Sequence, residues 1–228
     1  MSTGMSKPTI TATGAGLLGL LRLRSWTSYQ LTAQLRRSLR FVLPRAESAI
    51  YAEQKRLAAA GLARVSQQPQ GRRRRTVYGI TETGRGALRQ WLSGPPAEPS
   101  IEIEPLLRVL FADAGDLDDL ERALDTLERW AAEQLAEGRR ICQGYLDGDA
   151  PFPERLHLSS VFAGYYFGLY THTLDWVTQV RAEARTWPAT GDVGLTPGTR
   201  LMLERIVAGD HRAPPTGAGP GGPPRATT

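Results

Sequence analysis

Apolar residues recur at helical intervals through the first ninety positions of the chain. Leu31, Leu35 and Leu39 lie four residues apart and predict one face of a helix that begins near Ser28. Stripes of the same period predict three further helices in this region, at about 13–22, 45–60 and 82–92. The first half of the chain is therefore predicted to be mainly helical.

Proline and glycine mark the limits of the third of these helices. Pro44 cannot continue the second helix, so residues 41–44 are predicted to form the turn of a helix-turn-helix. Gly61 follows the last apolar position of the third helix, where a helix-ending glycine is expected. Two short β-like runs then follow, at 61–65 and 76–80.

Four consecutive arginines separate the two β-like runs, and the pattern places them in the loop at the tip of a hairpin: Arg72, Arg73, Arg74 and Arg75. The order helix, strand, basic tip, strand, helix is typical of the wing of a winged helix. Phosphates of double-stranded DNA are the natural partner of such a tip. A solvated charge run on a loop is the alternative interpretation.

The second half of the chain reads as wholly helical. Helices are predicted at about 101–112, 116–145, 154–186 and 197–208. Asp116 and Asp119 form a variant capping box at the start of the second of these. Four leucines after it are spaced like a short heptad seam and are predicted to make a dimer interface: Leu117, Leu120, Leu124 and Leu127. An amphipathic helix packed on its own chain is the alternative.

These elements predict a mainly α fold with two folded domains. A winged helix-turn-helix with a two-stranded wing is predicted over 13–93, and an all-helical dimerisation domain over 100–208. Gly- and Pro-rich residues around 94–99 read as a linker between them. Residues 1–12 and 209–228 are small and polar and are predicted to be disordered.

Charge is divided between the two halves of the chain. The 228 residues carry a net charge of +5, yet residues 1–92 hold 16 basic against 3 acidic side chains, a net +13. Residues 93–228 hold 12 basic against 20 acidic side chains, a net −8. This asymmetry predicts that the front half alone meets a polyanion.

Several classes of protein receive no support from the sequence. Cys142 is the only cysteine, so no intrachain disulfide is expected. His157, His172 and His211 lack metal-ligand spacing, and no phosphate loop or nucleophile motif is present, so neither a metal, a cofactor nor an enzyme is predicted. No membrane span and no secretory signal are recognised, and a cytoplasmic location is expected.

Five motifs in order resemble the PadR family of bacterial transcriptional regulators. They are Leu17-Leu18-Gly19-Leu20-Leu21, Ser28-Tyr29-Gln30-Leu31, Ala49-Ile50-Tyr51 with Arg56-Leu57 and Gly61-Leu62, Tyr78-Gly79-Ile80-Thr81-Glu82-Thr83-Gly84, and Pro105-Leu106-Leu107 through Leu110-Phe111-Ala112-Asp113. The last is similar to the segment that opens the longer, virulence-type C-terminal domain of this family. Among the departures, Ala52 stands where proline is usual, and Gln54 where an apolar residue is common.

The resemblance implies a cytoplasmic homodimer whose winged helices bind a palindromic operator and whose C-terminal helices form the dimer. Many members repress transcription and are released by a small molecule, so a repressor with a small-molecule effector is expected. Double-stranded DNA and a second copy of the chain are the expected partners. A winged-helix protein-interaction module, or a ligand sensor without specific DNA binding, is the alternative.

Candidate DNA contacts lie on the second and third helices and in the wing. Ser48, Tyr51 and Lys55 share a face of the third helix, which is expected in the major groove, with Arg45 at its start and Arg56 beside them. A solvated face is the alternative for Lys55 and Arg56. The four wing arginines are expected along the minor groove or its phosphates. Tyr29 resembles a family residue near the DNA backbone, with core packing as the alternative.

Aromatic residues of the second half are candidates for an effector pocket. The set comprises Trp130, Phe162, Tyr165, Tyr166, His172 and Trp176. The alternative is that they pack in the core or in the dimer interface, and the sequence identifies no ligand.

Overall fold

A computed structural model describes residues 10–39, 42–70 and 73–210 of the chain, apart from the side chains of Gln70 and Arg73. The chain divides into two compact units between Ser100 and Ile101. The first unit contains four helices and three strands among its described residues: α1 (Ala12–Leu23), β1 (Trp26–Thr27), α2 (Ser28–Leu39), α3 (Glu47–Ala59), β2 (Ala63–Gln70), β3 (Arg73–Ile80) and α4 (Glu82–Ser93). This winged-helix order confirms the predicted fold class.

The predicted apolar stripes form the core of the first unit. Leu17, Leu18, Leu31, Leu35, Ile50, Leu57 and Leu62 have essentially no exposed surface. Ile10 is also buried, and the Thr11 hydroxyl caps α1 by accepting from the Gly14 amide at 2.9 Å. The fold therefore begins before residue 13. Of the residues predicted to form disordered ends, 1–9 and 211–228 lie outside the described part.

The wing is longer than the sequence predicted. Strands β2 and β3 pair antiparallel from Ala63 opposite Ile80 as far as Gln70 opposite Arg73, and β1 pairs on the other side of β3. Arg73, Arg74 and Arg75 are therefore strand residues, not loop residues, while Arg72 lies outside the described residues. An exposed hairpin is held by its backbone hydrogen bonds and needs no apolar alternation. Its strands can therefore extend beyond the residues that the hydrophobic pattern marks as strand.

The second unit is helical throughout its described residues. It consists of α5 (Glu104–Leu110), α6 (Leu117–Leu146), α7 (Leu156–Ala184) and α8 (Pro197–Val207), with short 3-10 turns before α6 and α7. The predicted capping box at Asp116 and Asp119 is present, with reciprocal bonds of 2.8 and 3.2 Å. Helix α5 is shorter than the predicted 101–112. No helix in the described ranges is long and apolar enough to cross a membrane.

The predicted leucine seam of α6 is filled by the chain itself. Leu120, Leu124 and Leu127 are buried against α7, where their core partners are Val177, Val180 and Ala184. Arg181 of α7 adds ion pairs to three carboxylates of α6, those of Glu121, Asp125 and Glu128. These leucines thus support the intrachain alternative, because buried side chains have no surface left for a second copy. Leu117, also assigned to the seam, is only half-buried.

Candidate nucleic-acid interface

Helix α3 has one buried face and one open face. Ile50 and Leu57 point into the core of the first unit, and neither has exposed surface. Ser48 and Lys55 are exposed and Tyr51 is half-buried, so the residues predicted to read DNA are presented at helical spacing. Arg45 is exposed just before the first turn of α3. This face has the side chains that major-groove recognition requires.

Arg56, by contrast, is already engaged within the chain. Its Nε and Nη2 donate to the two carboxylate oxygens of Glu53 at 2.7 and 2.6 Å. The Thr11 hydroxyl donates to the same carboxylate at 2.7 Å, which links α3 to the start of α1. The Arg56 bonds hold the pKa of Glu53 below its usual value against the opposing effect of burial. This pair uses two of the five N–H donors of Arg56, so a phosphate could be bound only through the other three.

A buried polar cluster between α2 and α3 was missed at the sequence level. Gln54 is 1% exposed, and its amide bonds to Ser28 and Thr32 of α2. The sequence showed only that a polar residue stood where an apolar one is common. Two small hydroxyl residues four positions apart on the preceding helix were the available signal, and they could have suggested partners for it.

Tyr29 lies in the first turn of α2 and is 74% exposed. Core packing, the alternative for this residue, is therefore wrong. Thr27 and Gln30 bond reciprocally beside it, with Thr27 donating from its amide at 3.2 Å and Gln30 donating to the Thr27 hydroxyl at 3.2 Å. These bonds satisfy backbone donors at the start of the helix that carries Tyr29.

The wing arginines divide between the two faces of the hairpin. Arg75 pairs with Gln68 across the ladder and Arg74 pairs with Pro69, so their side chains leave opposite faces. Both are exposed, and Arg75 also donates to the Gln68 side chain at 3.4 Å. The sequence pattern predicted that all four arginines lie together in the loop at the tip of the hairpin. Strand geometry instead gives this hairpin a basic group on each face.

The base of the wing is fixed to the end of α3. The Thr81 hydroxyl donates to the carbonyl oxygens of Gly61 and Leu62 at 2.7 and 3.0 Å and accepts from the Gly84 amide at 3.0 Å. Gly61 has a φ of +69°, which favours glycine, and it lets the chain turn from α3 into β2. The wing and the third helix consequently share one rigid junction.

Four of the aromatic residues predicted to line an effector pocket form one cluster, which is connected through Tyr170. Trp130 packs edge-on against Tyr170, with ring centroids 5.0 Å apart, and Phe162 and Tyr165 each pack against Tyr166. Trp176 packs instead against the leucine core of α6 and α7. A hollow of about 630 Å³ lies elsewhere, between α5 and the first turns of α6, and is lined partly by Leu107 and Phe111.

The described residues contain no cluster of three or more His, Cys, Asp or Glu side chains that could hold a metal. The features brought together by the first unit are an exposed face on α3, an exposed tyrosine at the start of α2 and a basic two-stranded wing. These define a winged helix-turn-helix of the DNA-binding class.

Residues 17–90 match the model of the "Transcriptional regulator PadR-like family". The first unit therefore contains a domain of the PadR-like type, as its motifs suggested. A comparison with curated protein sequences finds no significant match.

Solved structures share the fold over most of the chain at low identity. The smu.1604c protein from Streptococcus mutans UA159 is 19% identical with a TM-score of 0.66, covering 76% of this chain and 99% of that chain. Bacillus subtilis PadR, solved in complex with operator DNA, is 18% identical with a TM-score of 0.64 over the same shares. The Vibrio cholerae virulence activator AphA is 21% identical with a TM-score of 0.52, covering 76% and 98%.

Proposed function

We propose that this protein is a sequence-specific regulator that binds a palindromic operator as a homodimer and represses transcription from the cytoplasm. Ser48, Tyr51 and Lys55 read the major groove, Tyr29 and Arg45 contact the backbone, and the wing arginines bind phosphates along the minor groove. The observation that carries this proposal is the open polar face of α3. The same unit exposes two other elements with hydroxyl or cationic groups, the start of α2 and the wing.

The charge distribution supports DNA as the partner. The +13 of residues 1–92 lies in the same unit as the candidate face, and Glu47 and Glu53 on α3 both pair with arginines of the chain, Arg36 and Arg56. Pairing cancels the acids that would otherwise repel phosphates from α3. A protein-interaction module would gain nothing from so basic a surface.

A second copy of the chain is required because one recognition helix covers only about one half-site. An uncovered seam on α7 is the candidate interface. It comprises Leu158, Val161, Tyr165, Gly168 and His172, spaced by three and four residues in alternation and all exposed. An added side chain at Gly168 or at neighbouring Gly164 would meet nothing within 4 Å, so a partner helix could approach closely. The dimer assignment therefore moves from α6 to α7.

A small-molecule effector is proposed for the second unit. Bacillus subtilis PadR has been solved in complex with p-coumaric acid, an aromatic acid. Here, the cluster of Trp130, Phe162, Tyr166 and Tyr170 offers aromatic faces of the kind that stack on such a ring. Quenching of tryptophan fluorescence by p-coumaric acid that is lost in Trp130→Phe, with parallel loss of DNA binding in the wild type, would support release by an effector. A signal unchanged by the acid would exclude this ligand.

The decisive experiment is fluorescence anisotropy with a labelled duplex from the region upstream of the protein's own gene and with a scrambled duplex. We expect tight binding to the upstream duplex that survives physiological salt, and weak, salt-sensitive binding to the scramble. Replacing Arg74 and Arg75 by glutamine should weaken binding to both duplexes. It should also flatten the slope of log affinity against log salt concentration by about two. Equal weak binding to both duplexes would contradict a sequence-specific regulator and favour the interaction-module alternative.

A further inference from the structure

We propose that Gln54 is a positioning residue that fixes α3 against α2 and thereby sets how well the protein discriminates its operator from other DNA. This inference rests on the proposed function. Gln54 lies on the buried face of α3, so it cannot contact a base itself. Its effect must pass through the placement of the helix that carries Ser48, Tyr51 and Lys55.

Among the described residues, the Gln54 side chain forms hydrogen bonds only with α2. Its Oε1 accepts from the Ser28 hydroxyl at 2.6 Å, and its Nε2 donates to the Thr32 hydroxyl at 2.8 Å and to the Ser28 carbonyl oxygen at 3.2 Å. The carbonyl contact fixes the orientation of the amide, because the flipped form would bring two carbonyl oxygens together. Both amide donors are thus used, and the cluster is closed.

Directional bonds restrict the helix pair in a way that apolar packing does not. A leucine or methionine could slide or rotate against α2 with little change in buried area. A hydrogen bond weakens steeply with distance and angle, and a buried amide that loses its partner costs free energy. The three bonds of Gln54 therefore select one placement of α3 on α2. Buried polar groups specify registry in this way in other helical assemblies.

That placement links the two elements proposed to contact DNA. Ser28 directly precedes Tyr29, and Gln54 lies one turn after Tyr51 and directly before Lys55. Tyr29 can contact the DNA backbone while Tyr51 and Lys55 contact bases only if α2 and α3 keep a fixed separation. Binding to a scrambled duplex uses phosphates alone and tolerates a shifted α3. Loss of the Gln54 bonds should thus reduce specific binding and leave non-specific binding in place.

Gln34 provides a matched control. It is also a buried glutamine of this unit, but its side chain bonds only within α2, to Ser38 at 2.7 Å and Arg37 at 2.9 Å. Gln54→Met and Gln34→Met therefore remove the same amide and keep the same side-chain length. Only the first removes a link between helices.

The test measures anisotropy of the full chain with the upstream and scrambled duplexes at one salt concentration, together with thermal unfolding. For Gln54→Met we expect a folded protein with a lowered melting temperature, an unchanged affinity for the scramble and about a tenfold weaker affinity for the upstream duplex. Gln34→Met should keep the wild-type ratio of the affinity for the upstream duplex to the affinity for the scrambled duplex. If Gln54→Met does not fold, Thr32→Val removes one of the three bonds isosterically and should lower the ratio severalfold.

Discrimination equal to wild type in the variant measured, Gln54→Met or its substitute Thr32→Val, would overturn the inference while leaving the proposed function intact. An equal loss of affinity for both duplexes would also overturn it, because it would assign Gln54 to general stability. Wild-type protein that does not distinguish the two duplexes would instead overturn the proposed function and this inference with it.

Discussion

At the scale of single residues, the Glu53 carboxylate occupies one edge of the neighbouring Arg56 guanidinium. Its carboxylate accepts two bonds from Arg56 and one from Thr11, and these bonds lower its pKa although burial opposes them. A lowered pKa in the folded state means that folding is stabilised when the group is ionised. This stabilisation is present at neutral pH and is lost as the pH falls below about 4.3, the unfolded glutamate value, and through the lower folded value.

We expect Glu53→Gln to lower the free energy of unfolding at neutral pH by about 1 kcal/mol, since the charge-assisted pair is partly exposed. The difference from wild type should shrink as the pH falls below about 4. Thermal unfolding of both proteins across this pH range measures it. Glu82→Gln is the control, because Glu82 is a highly exposed glutamate that pairs with Arg85 and Arg89. An effect of Glu53→Gln that does not change with pH would contradict this account.

At the scale of elements, the junction between β3 and α4 depends on a close backbone approach. A Cβ atom at Gly84 would overlap the carbonyl oxygen of Leu62, whereas a Cβ atom at Gly86 of the same helix would meet nothing within 4 Å. Gly84→Ala should therefore destabilise the protein by about 2 kcal/mol, as overpacking does. Gly86→Ala should be neutral or stabilising by up to about 1 kcal/mol, as expected for a helix. Thermal unfolding of the two variants compares them, and equal effects would contradict the proposed close contact.

The elements also show which features a sequence can predict. Stripes such as Leu31, Leu35 and Leu39 identified the helices because burial follows the helical period directly. The length of the wing could not be predicted from the sequence, because the outer part of its ladder is held by backbone hydrogen bonds and not by buried apolar side chains. The partner of the α6 seam was not visible either, because periodicity defines a face and does not say what covers it. The role of Gln54 could be recognised only from the structure, in which two hydroxyl groups of α2 bond to its amide.

At the scale of the whole molecule, the two units have opposite charge and distinct kinds of surface. The first unit has exposed polar and cationic side chains on α3 and β3, whereas the second leaves large apolar side chains uncovered on α5, α7 and α8. Contiguous exposed apolar surface in a helical unit typically marks an interaction site. On α7 it follows heptad spacing, which favours a helix of a second copy over an irregular partner.

This arrangement predicts that Val161→Asp, a change at a position 79% exposed in the chain, will convert dimer to monomer at micromolar concentration. A buried, unpaired carboxylate in the seam would be costly in the dimer and harmless in the monomer. Light scattering measures the mass, and anisotropy should show weaker operator binding with the scrambled duplex less affected. Val207→Asp is the control, because Val207 is equally apolar and exposed but lies on α8. A dimer that survives Val161→Asp would remove α7 as the interface, and a wild-type monomer would contradict the homodimer itself.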